Sequence, residues 1–260
     1  MAESKATTQP TAESKFPSEM IDLPSKGKCY DEKHPCSSGK IELKYMTAKE
    51  EDILTSANLI KKGIVIDRLL DSLILTKGVS TDDLIVGDKN ALMVASRILA
   101  YGAEYTCEVT NPKTGENIEH TFNLADCPFK KIDEKLTGSD TFSVTLPISK
   151  KSVKFRLLTG KQEKDIENEI KAYKKLDANV SKELTTRLKH VIVEADGSTD
   201  RSDINSFVDN MLSRDSLFLR GEITKASPDI DLTQEIDIGG EMVTVTIPMT
   251  SNFFWPSAGQ

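Results

Sequence analysis

The sequence predicts an α+β fold built by tandem duplication of one unit, made of a strand, about three helices and a β-hairpin. In residues 40–54, Ile41, Leu43 and Tyr45 alternate with charged side chains before a helix-capping signal, which indicates a half-buried strand that leads into a helix. The same pattern recurs in residues 152–166, about 112 positions later. Recurrence of the whole strand-to-helix pattern predicts the duplication.

Both strand-to-helix junctions carry a capping box. Thr47 can cap the first amides of its helix, and Glu50, three residues later, can accept a hydrogen bond from the amide of Thr47. Thr159 and Gln162 repeat this arrangement. The acidic residues 50–52 also suit the positive N-terminus of a helix, so we interpret them as a solvated first turn rather than a metal site.

Each strand-to-helix junction is followed by further helices and a hairpin. In the first unit, apolar spacing predicts helices that include residues 53–60, 65–73 and 92–99. Alternating residues on both sides of the turn Asn111-Pro-Lys-Thr-Gly115 then predict a hairpin.

The second unit repeats this order in the sequence. Its predicted helices include residues 166–173, 184–192 and 204–211. Residues 222–224, which match the strand residues 108–110, are expected to form a strand, and residues 238–241 a tight hairpin turn.

Composition divides the chain into a tail and two units. Residues 1–18 contain mostly small, polar and charged side chains, and we expect a flexible N-terminal tail because such a segment buries little apolar surface. Residues 19–138 are expected to form the first α+β unit. Residues 139–260 are expected to form the second unit, with a C-terminal hairpin and an aromatic tail.

Charge and hydropathy exclude several partners. The 260 residues carry a net charge of −7, which argues against a general nucleic-acid binder because phosphate contacts need clustered cations. No apolar run approaches the roughly 20 residues of a membrane span, and the N-terminus lacks the apolar region of a signal peptide. Four cysteines are too few for a disulfide scaffold, so we expect reduced thiols.

Motifs for catalysis or cofactor binding are missing from the sequence. It contains no phosphate-binding loop, dinucleotide fingerprint or nucleophile elbow. Cys107, His120 and Cys127 could meet across the first hairpin, which leaves a small zinc-binding interaction module as the alternative function. Their spacing lacks the paired Cys-x-x-Cys pattern, so thiols without a metal are the favoured interpretation. We therefore expect a protein that is not an enzyme and binds no cofactor.

The N-terminal motifs resemble those of a known family. The segment Leu23-Pro-Ser-Lys-Gly27, then Tyr30 and a strand leading into Met46-Thr-Ala-Lys-Glu-Glu-Asp-Ile-Leu54, is similar to the T-even-type bacteriophage baseplate proteins. That family contains a baseplate hub subunit and a hub assembly catalyst. The resemblance is clearest over residues 20–126.

The resemblance implies a structural or assembly role without chemical catalysis. Implied partners are other tail proteins, such as hub and tape-measure proteins, with neither nucleic acid nor membrane among them. The implied location is the host cytoplasm during assembly, or the tail baseplate of the virion.

Two segments are candidates for partner binding. A fixed extended segment beside an edge strand can pair with a strand of a partner, or it can simply line the sheet of its own unit. The C-terminal aromatic residues can contact a partner, or they can fold back onto the core of the second unit. The candidate residues are Leu23, Pro24, Ser25, Lys26, Gly27, Tyr30, Phe253, Phe254 and Trp255.

Overall fold

The computed structural model describes residues 16–131, 141–176, 181–238, 240–249 and 251–254. Helices and small antiparallel sheets alternate along these residues, which confirms the α+β class. The first half contains β1 (Ser18–Asp22), β2 (Lys40–Lys44), α1 (Ala48–Leu54), α2 (Ala57–Lys62), α3 (Val65–Leu73), α4 (Val86–Tyr101), β3 (Glu104–Thr110) and β4 (Asn117–Asn123). The predicted tail lies outside the described residues up to residue 15, and Ser18 already belongs to β1.

The second half begins after residue 140. It contains β5 (Thr141–Thr145), β6 (Ser152–Arg156), α5 (Gly160–Leu176), α6 (Glu183–Val191), β7 (Ile192–Ala195), α7 (Arg201–Asp209), α8 (Ser213–Ala226), β8 (Thr233–Ile238) and β9 (Glu241–Thr246). The predicted hairpins are confirmed, since β3 pairs with β4 and β8 pairs with β9. Gly240 has a φ of 91° in the second turn, a conformation that glycine adopts without steric cost.

The two halves share the pairing around their strand-to-helix junctions. β1 pairs with β2 and β5 pairs with β6, both antiparallel. Leu43 of β2 bridges Ile74 after α3, and Phe155 of β6 pairs with Ile192 after α6. Duplication of the complete unit stays a prediction, because the fully described connection between α3 and α4 has no helix corresponding to α7.

Two assignments in the second half were wrong. Residues 222–224, expected as a strand, lie in α8, where Leu219 and Ala226 are buried on one face and Ile223 packs beside them. Ile192, expected at the end of a helix, begins β7 because it pairs with Phe155. In both cases, contacts with distant residues determine the conformation of a short segment.

Two hydrophobic clusters hold the described residues together. The second cluster lies between Phe142 and Ala226. The first combines residues of β2, α3, α4 and the β3–β4 hairpin with residues of β8, β9 and the C-terminal Phe253. The clusters therefore do not follow the predicted boundary between residues 138 and 139, and that division into domains stays a prediction.

Backbone contacts join the halves directly. Ile85 and Thr159 form an antiparallel bridge in which Val86 N donates to Leu158 O at 3.0 Å and Gly160 N donates to Leu84 O at 2.8 Å. A β-carbon built on Gly160 would lie 2.2 Å from the carbonyl oxygen of Thr81, so this approach requires glycine.

An ion-pair network reinforces the contact between the halves. Lys164 of α5 reaches both Asp67 of α3 and Asp82, which precedes α4. Lys89 of α4 pairs with the same Asp67. Burial raises the pKa of Asp67, but the hydrogen bonds and charges of the two lysines outweigh this effect and lower it.

Both capping boxes are present. Thr47 N donates to the carboxylate of Glu50 at 3.0 Å, and Thr159 N donates to Gln162 Oε1 at 3.0 Å. The interpretation of Glu50 as part of a solvated turn was wrong, because its side chain is fully buried. It accepts hydrogen bonds from Lys44 Nζ at 2.7 Å and from Ser72 Oγ at 2.8 Å.

Loss of either capping threonine is expected to destabilise the protein. Thr47→Ala and Thr159→Ala should each lower the free energy of unfolding by about 1 kcal/mol, the usual contribution of an N-cap. Urea titration of each variant measures the change as a shift in midpoint. Thr224→Ala, at an exposed position within α8, serves as the control and should cause no loss. Unchanged midpoints for both capping variants would count against these caps.

Candidate interaction surfaces

Asp88 anchors the N-terminal segment. Its carboxylate accepts hydrogen bonds from Ser25 N at 2.9 Å, Ser25 Oγ at 2.6 Å and Tyr30 OH at 2.8 Å. Asp88 is the third residue of α4 and is fully buried. Burial raises its pKa, and the hydrogen bonds from Ser25 and Tyr30 oppose that increase. The candidate residues Ser25 and Tyr30 therefore connect the segment to α4.

Most of the candidate segment faces the interior. Leu23, Pro24, Ser25 and Gly27 are buried, whereas Lys26 is exposed. Leu23 belongs to the first hydrophobic cluster. This placement agrees with the alternative in which the segment lines its own unit, while partner binding by these residues stays a prediction.

The second half repeats the aspartate anchor. Asp215 is the third residue of α8, and its carboxylate accepts hydrogen bonds from Ile148 N at 2.8 Å and Ser149 N at 2.9 Å. Burial favours its neutral form, but these two amides outweigh that effect and lower its pKa. Lys26 and Lys150 adopt positive φ values of 52° and 59° in the two loops. The sequence signal that marks both anchors is an aspartate in the first turn of the helix before each hairpin.

The β1 strand is the edge of its sheet. Its only neighbour among the described strands is β2. Tyr45 N donates to Pro17 O and Leu23 N donates to Gly39 O, so residues 19 and 21 also point their backbone groups toward β2 in the antiparallel register. The backbone groups of Met20 therefore point to the open side, and its side chain is 57% exposed.

The C-terminal aromatic residues fold back onto the protein. Phe253 and Phe254 are 1% and 2% exposed. Phe253 meets Tyr105 edge to face, with ring centroids 5.0 Å apart, and Tyr105 OH donates to Pro248 O. They join the first cluster, which contains strands of both hairpins, rather than a core belonging to the second unit alone. The third candidate in this segment, Trp255, lies outside the described residues.

The cysteines and histidine of the first hairpin do not assemble into a metal site. Cys107 lies opposite His120 in the register of β3 and β4, whereas Cys127 accepts a hydrogen bond from Gln234 Nε2 of β8 at 3.3 Å. Burial raises the pKa of both Cys107 and Cys127, which disfavours the thiolate that zinc requires. Within the described ranges, no group of three or more His, Cys, Asp or Glu side chains is placed to hold a metal.

A cleft of about 270 Å³ lies where the two halves meet. Four of its five charged side chains form two ion pairs, since Arg187 contacts Glu163 at 2.7 Å and Lys130 contacts Asp229 at 3.7 Å, and the fifth is the exposed Arg156. Leu158, Val191 and Ile223 are among its apolar lining residues. The two ion pairs therefore neutralise most of the charge in the cleft.

Comparison with family models identifies the class of protein. The family described as T4 bacteriophage base plate protein matches residues 17–255. The chain belongs to this family, and it is a bacteriophage baseplate protein. Membership implies contacts with other phage tail proteins and a place in the virion tail.

Comparison with curated proteins and with solved structures identifies no further relative. Neither the curated proteins nor the solved structures contain a match. In the part of the chain that the structure describes, each helix is too short or too polar to span a bilayer.

Proposed function

We propose that the protein acts without catalysis at the baseplate hub, as a hub subunit or as an assembly factor that binds other tail proteins. Hub and tape-measure proteins are the proposed partners. The protein would meet them in the host cytoplasm during assembly or hold them in the tail baseplate. The observation that supports this proposal best is the open edge of β1.

The edge suits recognition of an extended segment. A partner strand would pair with the outward backbone groups of Ser18, Met20 and Asp22, and the exposed side chain of Met20 would add apolar contact area. Backbone pairing of this kind tolerates variation in the sequence of the partner, because its hydrogen bonds do not depend on side chains.

The Asp88 anchor prepares this edge for binding. β1 leads directly into the segment that Asp88 holds. Just beyond β1, Leu23 N donates to Gly39 O at 2.8 Å, which continues the register of β1 and β2. A strand that is already held in place loses less conformational freedom when a partner pairs with it. The exposed Lys26 and Lys28 follow β1 in the same anchored segment.

The test separates backbone pairing from side-chain contact at one position. Met20→Pro removes the outward N–H, and proline is tolerated in an edge strand when its nitrogen faces solvent. Met20→Ala removes the side chain but keeps the N–H, and serves as the matched control. Each variant is expressed with a tag in infected cells, and the proteins captured with it are identified by mass spectrometry.

We expect Met20→Pro to lose hub and tape-measure proteins while Met20→Ala retains them, with both circular dichroism spectra matching the wild type. The same variants are tested for complementation of a phage that lacks this protein. Normal capture and normal baseplates with Met20→Pro would contradict the role of this edge. Capture of host enzymes without tail proteins would contradict the hub assignment.

A further inference from the structure

The two halves present the same backbone shape just before α4 and α8. Ile85 precedes α4 with φ −63° and ψ 150°, and Leu212 precedes α8 with φ −64° and ψ 138°. Three residues after each of them lies a buried aspartate that anchors a loop, Asp88 or Asp215. Residues 84–86 and 211–213 therefore hold corresponding positions before the two helices.

The edge in the first half is occupied by the second half. The bridge between Ile85 and Thr159 uses the backbone of both chains, and it leaves Ile85 only 5% exposed. The occupant is the strand-to-helix junction at residues 158–160, which also contains the second capping box. The two halves use different surfaces in this contact. The first half contributes the residues just before α4, and the second half contributes its strand-to-helix junction.

The equivalent edge in the second half is open. Leu212 is 50% exposed, while Leu217 in α8 and Ile148 in the loop that Asp215 anchors are 64% and 42% exposed. Among the described residues, Ser213 N–H and Met211 C=O have no backbone or side-chain partner. These two groups correspond to Val86 N–H and Leu84 C=O, which bind the junction in the first half.

The equivalent junction in the first half is open as well. Residues 46–48 lead from β2 into α1 through the capping box of Thr47 and are partly or fully exposed. Met46 C=O and Ala48 N–H correspond to Leu158 C=O and Gly160 N–H, and they have no partner in the described part of the chain. One copy of the protein thus carries two complementary surfaces, residues 46–48 and residues 211–213, that do not contact each other.

We propose that a second copy of this chain docks there, with Thr47 of one copy bridging Leu212 of the other. Ser213 N would donate to Met46 O, and Ala48 N would donate to Met211 O, as the corresponding groups do between the two halves. Because different surfaces meet, the contact is heterologous and joins copies head to tail, into a ring or an open chain. This inference does not depend on the proposed contact at β1.

Two differences make the contact between copies weaker than the one within the chain. Ala48 stands where Gly160 allows the closest approach, so its side chain keeps the two backbones farther apart. Asp52 stands where Lys164 pairs with Asp82, so the first junction presents a carboxylate where the second presents a cation. Association is therefore reversible and depends on concentration.

Sedimentation velocity of the purified full chain, with a reductant present, tests the proposal over a concentration series. The wild type should sediment faster as its concentration rises. Ser213→Pro removes the donor and is compatible with the first position of a helix, so it should sediment as a monomer throughout. Ser213→Ala keeps the N–H and is the matched control, which should associate like the wild type.

A second variant is designed to strengthen the association between copies. Ala48→Gly combined with Asp52→Lys copies the features of Gly160 and Lys164, and should shift association to concentrations about tenfold lower. A wild type that stays monomeric at every soluble concentration would overturn the proposal, as would association that Ser213→Pro leaves unchanged. If Ser213→Pro does not fold by circular dichroism, Leu212→Glu replaces it with the same expected loss. Met20→Pro should leave association unchanged, which distinguishes this contact from that of β1.

Discussion

Replacing Glu50 with alanine is expected to lower the free energy of unfolding by about 4 kcal/mol, the range seen when one partner of a buried ion pair is removed. The Glu50 side chain is fully buried, and Lys44 beside it is only 11% exposed. Loss of the carboxylate would leave Lys44, Thr47 and Ser72 without their common acceptor. Urea titration at neutral pH measures the change.

The control is the equivalent position of the other capping box. Gln162 is uncharged and only partly buried, so Gln162→Ala should lower the free energy of unfolding by about 1 kcal/mol. Equal losses for the two variants would mean that the buried charge of Glu50 adds nothing to the cap.

The pH dependence of stability provides a second measurement on Glu50. Burial raises its pKa, but the hydrogen bonds from Lys44, Thr47 and Ser72 outweigh this effect and lower it to about 2. A folded-state pKa below the ordinary value adds stability above pH 4.5 that is lost as the pH falls toward 2. Glu50→Gln should therefore lose less stability than the wild type over this interval, and parallel curves would contradict the assignment.

Gly87→Ala is expected to destabilise the protein by about 3 kcal/mol, although alanine is the better helix former. A β-carbon at Gly87 would lie 1.7 Å from the carbonyl oxygen of Pro228, so α4 and the segment after α8 must move apart. That movement would also strain the hydrogen bond from Asn90 Nδ2 to Asp229 Oδ1.

Gly221 in α8 is the matched control for Gly87. A β-carbon there meets no atom within 4 Å, so Gly221→Ala should raise the free energy of unfolding by up to about 1 kcal/mol through helix propensity alone. Thermal and urea unfolding of both variants check the opposite signs. A gain in stability with Gly87→Ala would show that α4 and residues 228–229 are not in close contact.

Several elements could be predicted because their signals are local. The alternation of Ile41 and Leu43 and the capping box of Thr47 require only neighbouring residues, and the structure contains the strand and helix that they predict. The turn between β8 and β9 likewise follows from adjacent glycines. The assignment of residues 222–224 failed because so short a segment suits either a strand or a helix, and packing of α8 against distant residues selected the helix.

The candidate site was only partly accessible to sequence reasoning. The residues Leu23, Pro24 and Ser25 were recognised as a fixed segment, but their anchor Asp88 lies 63 positions beyond Ser25. A short motif does not reveal which distant helix its amides will contact. The open edge at Leu212 was equally hidden, since its significance depends on the occupied edge at Ile85.

The sequence by itself determined the α+β class, the two strand-to-helix junctions and the two hairpins, because the period of apolar residues and the chemistry of caps and turns act over a few residues. The tertiary structure alone decided that Glu50 is buried, that Asp88 and Asp215 anchor loops, and that the C-terminal Phe253 packs beside Tyr105. The physical reason is that burial of a charge or a ring depends on which surface covers it, and that surface comes from residues far away in the chain.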